Sequence, residues 1–149
     1  MHLKHYPFFN RNDHHDYEFY SIGPKGRIKK MVTFSLIPNL EFTAYNLAFG
    51  DLNMQTGQLD DKANSNNDDR DIVLATVANT VLEFSKYHNR PYIYATGSTS
   101  SRTRLYQMGI AGLWEEISTN FEVFGLKNDI WYEFEPNNTN YEAFLVKQR

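Results

Sequence analysis

Residues 17–22 alternate toward the period of a strand. Gly23-Pro24-Lys25-Gly26 follows as a turn, since glycine and proline supply the backbone angles that turns need. Residues 28–37 alternate in part and read as a second strand, broken by Pro38-Asn39. Residues 42–49 read as a third strand, ended by Gly50-Asp51. Strands joined by such short connections predict an antiparallel meander. The period then changes. Over residues 72–88, Val73, Val77, Val81 and Phe84 recur at helical spacing, and Leu74, Ala78 and Leu82 widen that stripe. Asp68, Asp69 and Asp71 before or at its start, and Lys86 and His88 at its end, complement the helix dipole. Asn89-Arg90-Pro91 stops it.

Tyr92–Ala95 reads as a short buried strand, and Gly97 lets the chain turn after it. Ser98, Thr99, Ser100 and Ser101 offer N-cap hydroxyls to a second helix. Leu105, Tyr106 and Met108 are its apolar positions, and Gly109 is read as its end. Leu113, Trp114 and Ile117 suggest a further short helix. Residues 121–125, 130–134 and 141–146 read as closing strands. A helix joining two strands implies a parallel pair. The expected fold is therefore α+β, a mixed and mostly antiparallel sheet with a central β-α-β-α unit. Residues 1–149 form one domain in this reading, with residues 1–16 as a polar N-terminal arm and residues 51–71 as a long acidic loop read as solvated.

Composition narrows the function classes. The chain has 149 residues, enough for a core, and its 10 Tyr and 11 Phe suit a sheet-rich fold. A net charge of −3 gives nucleic acid no electrostatic footprint. With no cysteine, thiolate metal sites, disulfides and cysteine nucleophiles are excluded. No apolar run is long enough for a membrane helix, and the N-terminus has no signal-peptide h-region, so a cytoplasmic location is expected. His2, His5, His14 and His15 have no ligand partners at helical spacing, so no metal site is assigned. The Asp residues of the loop do not make an EF-hand, because its glycine and distal glutamate are missing. His88 is explained by its place at a helix end.

The candidate site lies at the strand-to-helix turn. A helix N-terminus presents unpaired N–H groups and positive partial charge, which suit an anion. Gly97, Ser98, Thr99, Arg102 and Arg104 are the binding candidates. Arginines in the first turn oppose the dipole and call for another reason. Arg102 and Arg104 are two apart and cannot face the same way on a helix; Arg102 is the one expected to face the ligand. Hydroxyls that merely cap the helix, with Arg102 paired to Glu115 or Asp51, are the alternative. Lys25, Lys29 and Lys30 read as a small basic patch or as edge-strand lysines.

The element order resembles the core of the GNAT acyltransferases, and Leu105-Tyr106-Gln107-Met108-Gly109-Ile110 is similar to a helical segment of that family. The resemblance implies acyl-coenzyme A as cofactor, a pyrophosphate cradled where a strand meets a helix, and a next strand that splays away to admit the pantetheine arm. It also implies that Tyr106 is catalytic and protonates the departing thiolate. The glycine-rich pyrophosphate loop of that family is missing, since Arg70, Ile72 and Leu74 stand at its glycine positions after an acidic stretch. A wider resemblance is carried by Gly-Pro-Lys-Gly at 23–26, Tyr-Asn-Leu-Ala-Phe-Gly-Asp at 45–51, Val-Leu-Ala-Thr-Val-Ala at 73–78, Gly-Ser-Thr at 97–99, Arg-Thr-Arg-Leu-Tyr at 102–106 and Asn-Tyr-Glu-Ala-Phe at 140–144. These segments are similar to a family of small uncharacterised bacterial proteins, a domain of unknown function. Two classes stay open: a degenerate acyl-CoA-dependent N-acyltransferase-like domain that takes a small anionic ligand, and a non-catalytic module that binds a protein partner, such as one half of a two-gene system.

Overall fold

The computed structural model describes residues 3–60, 66–138 and 140–149. The sheet begins earlier than the hydrophobic pattern suggested. β1 (Phe8–Arg11) lies inside the expected polar arm and pairs antiparallel with β2 (Asp16–Gly23). β2 pairs with β3 (Gly26–Leu36), and β3 with β4 (Ala44–Leu52), both antiparallel. A two-residue strand, β5 (Leu59–Asp60), folds back on Leu52 and Asp51, so the acidic connection is partly sheet. Its residues 61–65, which include Asp61, lie outside the described part, as does His2.

The helix α1 (Arg70–Tyr87) then crosses to β6 (Tyr92–Ala95), which pairs parallel with β4 as expected. Two helices follow, α2 (Ser100–Gly112) and α3 (Trp114–Asn120). β7 (Phe121–Lys127), β8 (Ile130–Glu133) and β9 (Ala143–Gln148) complete the sheet. The strand order is β1-β2-β3-β4-β6-β9-β7-β8. Every junction is antiparallel except β4–β6. The fold is thus α+β with a mixed, mostly antiparallel sheet, as the element order implied. Among the described residues no helix is long and apolar enough to cross a membrane.

Alternate residues of β4, β6 and β9 share one apolar cavity with α1, α2 and α3, which places all three helices on one face of the sheet. The core lies between these layers. Phe84 of α1 stacks on Phe34 of β3, ring centroids 4.1 Å apart, and Tyr17, Phe19, Val32 and Ile93 are fully buried nearby. The expected stripe of α1 is only part of its inward face. Thr76, Thr80 and Ser85 are also fully buried. Thr76 and Thr80 donate to the Ile72 and Val77 carbonyls, which lets a hydroxyl enter a helix packing face without an unmet donor.

α2 departs from expectation in two ways. It runs through Gly109 to Gly112 rather than ending at Gly109. A methyl at Gly109 would stand 2.0 Å from Leu74 Cδ1, so Leu74 of α1 packs closely on α2 at this glycine, which is not a helix stop. Its apolar positions also face differently. Leu105 and Met108 are exposed, while Thr103 and Gln107 are buried. The Gln107 amide explains this: its nitrogen donates to the Asn138 carbonyl and its oxygen accepts from the Tyr141 amide, tying α2 to the segment before β9.

Candidate functional site

The parallel pair is short, and β4 outlasts it. β4 pairs with β6 only from Ala44↔Tyr92 to Leu47↔Ala95. On the same edge β5 takes Asp51 and Leu52, because β3 occupies the opposite edge. Among the described residues no strand pairs with residues 48–50 on that edge. The carboxyl end of a parallel strand, where its neighbour turns away, is the usual place for a ligand crevice in such sheets. A cleft of about 830 Å³ opens here, walled by the first turns of α1 and α2. Phe49 of β4 and Lys30 of β3 line it from the sheet. A smaller cavity of about 110 Å³ is lined almost wholly by aliphatic and aromatic side chains, and Phe49, Leu74 and Tyr106 line both.

The α1 wall is acidic and tightly held. Asp68, Asp69 and Asp71 line it together with Arg70. Asp69 is the N-cap residue, yet its carboxylate makes no cap bond. It accepts instead from Tyr6 Oη at 2.6 Å and from Ser21 Oγ at 2.5 Å. Burial, and then the hydrogen bond to Asp69, raise the Tyr6 pKa above the ordinary phenol value, so Tyr6 stays the donor. Asn67 is buried beside them. Its amide nitrogen donates to Ser21 Oγ and the Gly26 carbonyl, and its oxygen accepts from the Lys25 amide. The end of the acidic connection is therefore pinned to the β2–β3 hairpin and is not the solvated loop expected.

The α2 wall begins with the predicted turn. Thr99 is the N-cap, and its hydroxyl accepts from the Arg102 amide at 3.2 Å. Thr103 Oγ1 accepts from the Gly97 amide at 2.9 Å and donates to the Thr99 carbonyl. A methyl on Gly97 would lie 2.4 Å from the Thr103 nitrogen, so only glycine permits this close turn. The amides of Gly97 and Arg102 are thus engaged within the turn. Of the candidate residues, Thr99, Arg102 and Tyr106 line the cleft, and Gly97, Ser98 and Arg104 do not. Arg104 is exposed, in keeping with the two-residue separation from Arg102.

Lys30 is a correction to the reading of a basic surface patch. It is nearly buried and its Nζ lies 2.5 Å from Asp51 Oδ1, its cross-strand partner. Lys29 points to the other face and pairs with Glu18 at 3.2 Å. The alternation of β3 carried this signal, since Lys30 has the parity of Val32 and Phe34. Tyr6, Ser21 and Asn67 had no comparable signal, because their meeting with Asp69 is a product of tertiary packing. Neither a curated protein nor a solved structure matches the chain. The family of unknown function DUF6934 matches residues 2–149, and the chain belongs to that family.

Proposed function

We propose that the cleft binds an acyl thioester of the coenzyme A type and that the domain is acyltransferase-like. The observation that carries this reading is the cleft at the end of the parallel pair, where β6 has ended and, among the described residues, no strand pairs with residues 48–50 of β4 on that edge. An extended amide-bearing arm is suited to such an edge, because free strand groups accept and donate as in a sheet. That the small apolar cavity shares Phe49, Leu74 and Tyr106 with the cleft supports a place for a short acyl chain. The charges divide the cleft. Its α1 wall is acidic and repels pyrophosphate, so the anionic end is assigned to the α2 wall near Thr99, Ser101 and Arg102. The acidic wall then suits an amine acceptor. In the transfer, the amine nitrogen bonds to the thioester carbonyl carbon and the carbon–sulfur bond breaks. Tyr106 gives its phenol proton to the leaving thiolate, and the proton lost by the amine passes to a carboxylate of the acidic wall.

Titration with acetyl-coenzyme A, followed by amide NMR, tests the binding step. Saturable shifts are expected at residues 48–50 and 99–106. Arg102→Ala should weaken binding about tenfold or more, the loss of one charge-assisted hydrogen bond. No shift at millimolar ligand overturns the reading, and Tyr106→Phe should then alter stability alone.

A second reading rests on a different observation. β8 is one of the two outer strands of the sheet, and its Ile130, Trp131 and Tyr132 are 54%, 39% and 47% exposed. Aromatic side chains on an open edge strand suit a protein partner. Purification from the native host should then yield a stoichiometric partner that Trp131→Glu releases. A lone monomer from that preparation counts against this module.

A further inference from the structure

We infer that Asp13, His15 and His88 form a binding site for a first-row divalent metal of the zinc class. One ligand atom from each, a carboxylate oxygen and two imidazole nitrogens, lie within 4.8 Å of one another. The set was invisible along the chain, because His88 is far in sequence from the hairpin turn that carries Asp13 and His15. The fold joins them. His15 ends the turn between β1 and β2, and His88 is the C-cap of α1. Their rings meet edge to face, with centroids 4.7 Å apart.

The tautomer of each neutral ring follows from its partner. A carbonyl oxygen can only accept, so a ring nitrogen aimed at one carries a hydrogen. His15 Nδ1 donates to the Asn12 carbonyl at 2.9 Å, and His88 Nε2 donates to the Asp13 carbonyl at 3.0 Å. The neutral rings therefore hold their lone pairs at His15 Nε2 and His88 Nδ1. Fixing one nitrogen on a backbone carbonyl is how metal-binding histidines set tautomer and orientation. The position also favours a cation, because the carboxyl end of α1 carries the negative end of its dipole. Two imidazoles and a carboxylate suit zinc and its neighbours, and three protein ligands leave a position for water. Zinc at tetrahedral distances needs its ligand atoms roughly 3.4 Å apart, so the three groups must draw together on the metal, a movement that the exposed Asp13 side chain can help to supply.

The site does not rest on the acyltransferase reading. Arg70, the first residue of α1, lines the cleft, and α1 spans 18 residues, about 27 Å, before His88. Its role is to clamp the β1–β2 turn to the end of α1.

Calorimetric titration of the untagged full chain with zinc chloride tests it, with imidazole NMR as a second readout. One equivalent should bind, shifting the His15 and His88 ring resonances, and the melting temperature should rise with zinc concentration. His15→Ala and His88→Ala should each weaken binding by more than tenfold. Asp13→Asn changes only an exposed turn residue, so the fold should persist while affinity falls. Either no stoichiometric binding, or binding that survives in the Asp13→Asn and His15→Ala variants, overturns the site. So does binding lost equally in His5→Ala, which would place the metal on the N-terminal segment.

Discussion

Phe84→Ala will lower the stability of the domain by about 3–5 kcal/mol, the cost of removing a buried aromatic ring and leaving a cavity. Phe84 is fully buried and stacks on Phe34 with an interplanar angle of 9°. Tyr45 meets it edge on at 4.8 Å, and His88 stacks on it at 4.3 Å. One side chain thus binds α1 to β3 and β4, and also backs the turn that holds His15, whose ring lies 5.5 Å away. A domain of this size has only about 5–15 kcal/mol in hand, so the variant should be marginal. Urea unfolding checks it. The midpoint should fall with little change in slope, which separates lost packing from a changed unfolded state. Phe84→Leu should recover part of the loss, because it refills most of the volume. A loss below ~1 kcal/mol for Phe84→Ala would mean that the aromatic stack is not the junction of helix and sheet.

The same residue marks what the sequence made legible. Phe84 belongs to the stripe of Val73, Val77 and Val81, and periodicity alone placed it inward. Tyr92–Ala95 was readable to the residue, because Pro91 and Gly97 bracket it. The parallel pairing of β4 and β6 followed from the helix between them. β1 was not readable. Its Phe8 and Phe9 stand between Pro7 and Asn10 in a polar context, and what makes them a strand is the waiting edge of β2. α2 misled for a different reason. Its inward face is set by the partners of Thr103 and Gln107, which lie outside the helix, so apolar spacing pointed at Leu105 and Met108 instead.

The cleft was half legible on the same grounds. Its α2 wall is local, a cap and the side chains of one helix: Thr99 and Arg102 were named from their place at the helix start and Tyr106 from a family resemblance, and all three line the cleft. Its α1 wall depends on contacts across long separations. Asp69 could be recognised as a charge near a helix start, where a carboxylate is favoured by the dipole. That it is held by Tyr6 and Ser21 could not be, since those residues are 63 and 48 positions away. That β4 pairs on one side only at residues 48–50, among the described residues, was hidden too, because it is defined by where β5 and β6 stop.

Asp69→Ala should destabilise the domain by about 2–5 kcal/mol and open the α1 wall of the cleft. The carboxylate accepts from two donors, Tyr6 Oη and Ser21 Oγ, and Ser21 is fully buried. Removing the acceptor strands the Ser21 hydroxyl away from water, and an unmet buried donor costs about 1–3 kcal/mol. Tyr6 loses a hydrogen bond to a charged group, worth roughly 1.5–3 kcal/mol in other settings, and its half-buried ring can recover part of that by reaching solvent. The two losses share one acceptor, so they do not simply add. Asn67 follows, because its amide donates to the same Ser21 oxygen. Asp69→Asn is the informative companion. It keeps the shape and one acceptor oxygen but no charge, so it should cost less than the alanine variant. Hydrogen exchange locates the effect. In Asp69→Ala, protection should fall first at residues 66–72 and in the turn between β2 and β3, while Tyr92–Ala95 keeps its protection. If protection instead falls evenly across the sheet, Asp69 supports the whole domain and not this wall. If Asp69→Ala unfolds at the same urea concentration as the parent chain, the network of Tyr6, Ser21 and Asn67 does not hold the start of α1 in place.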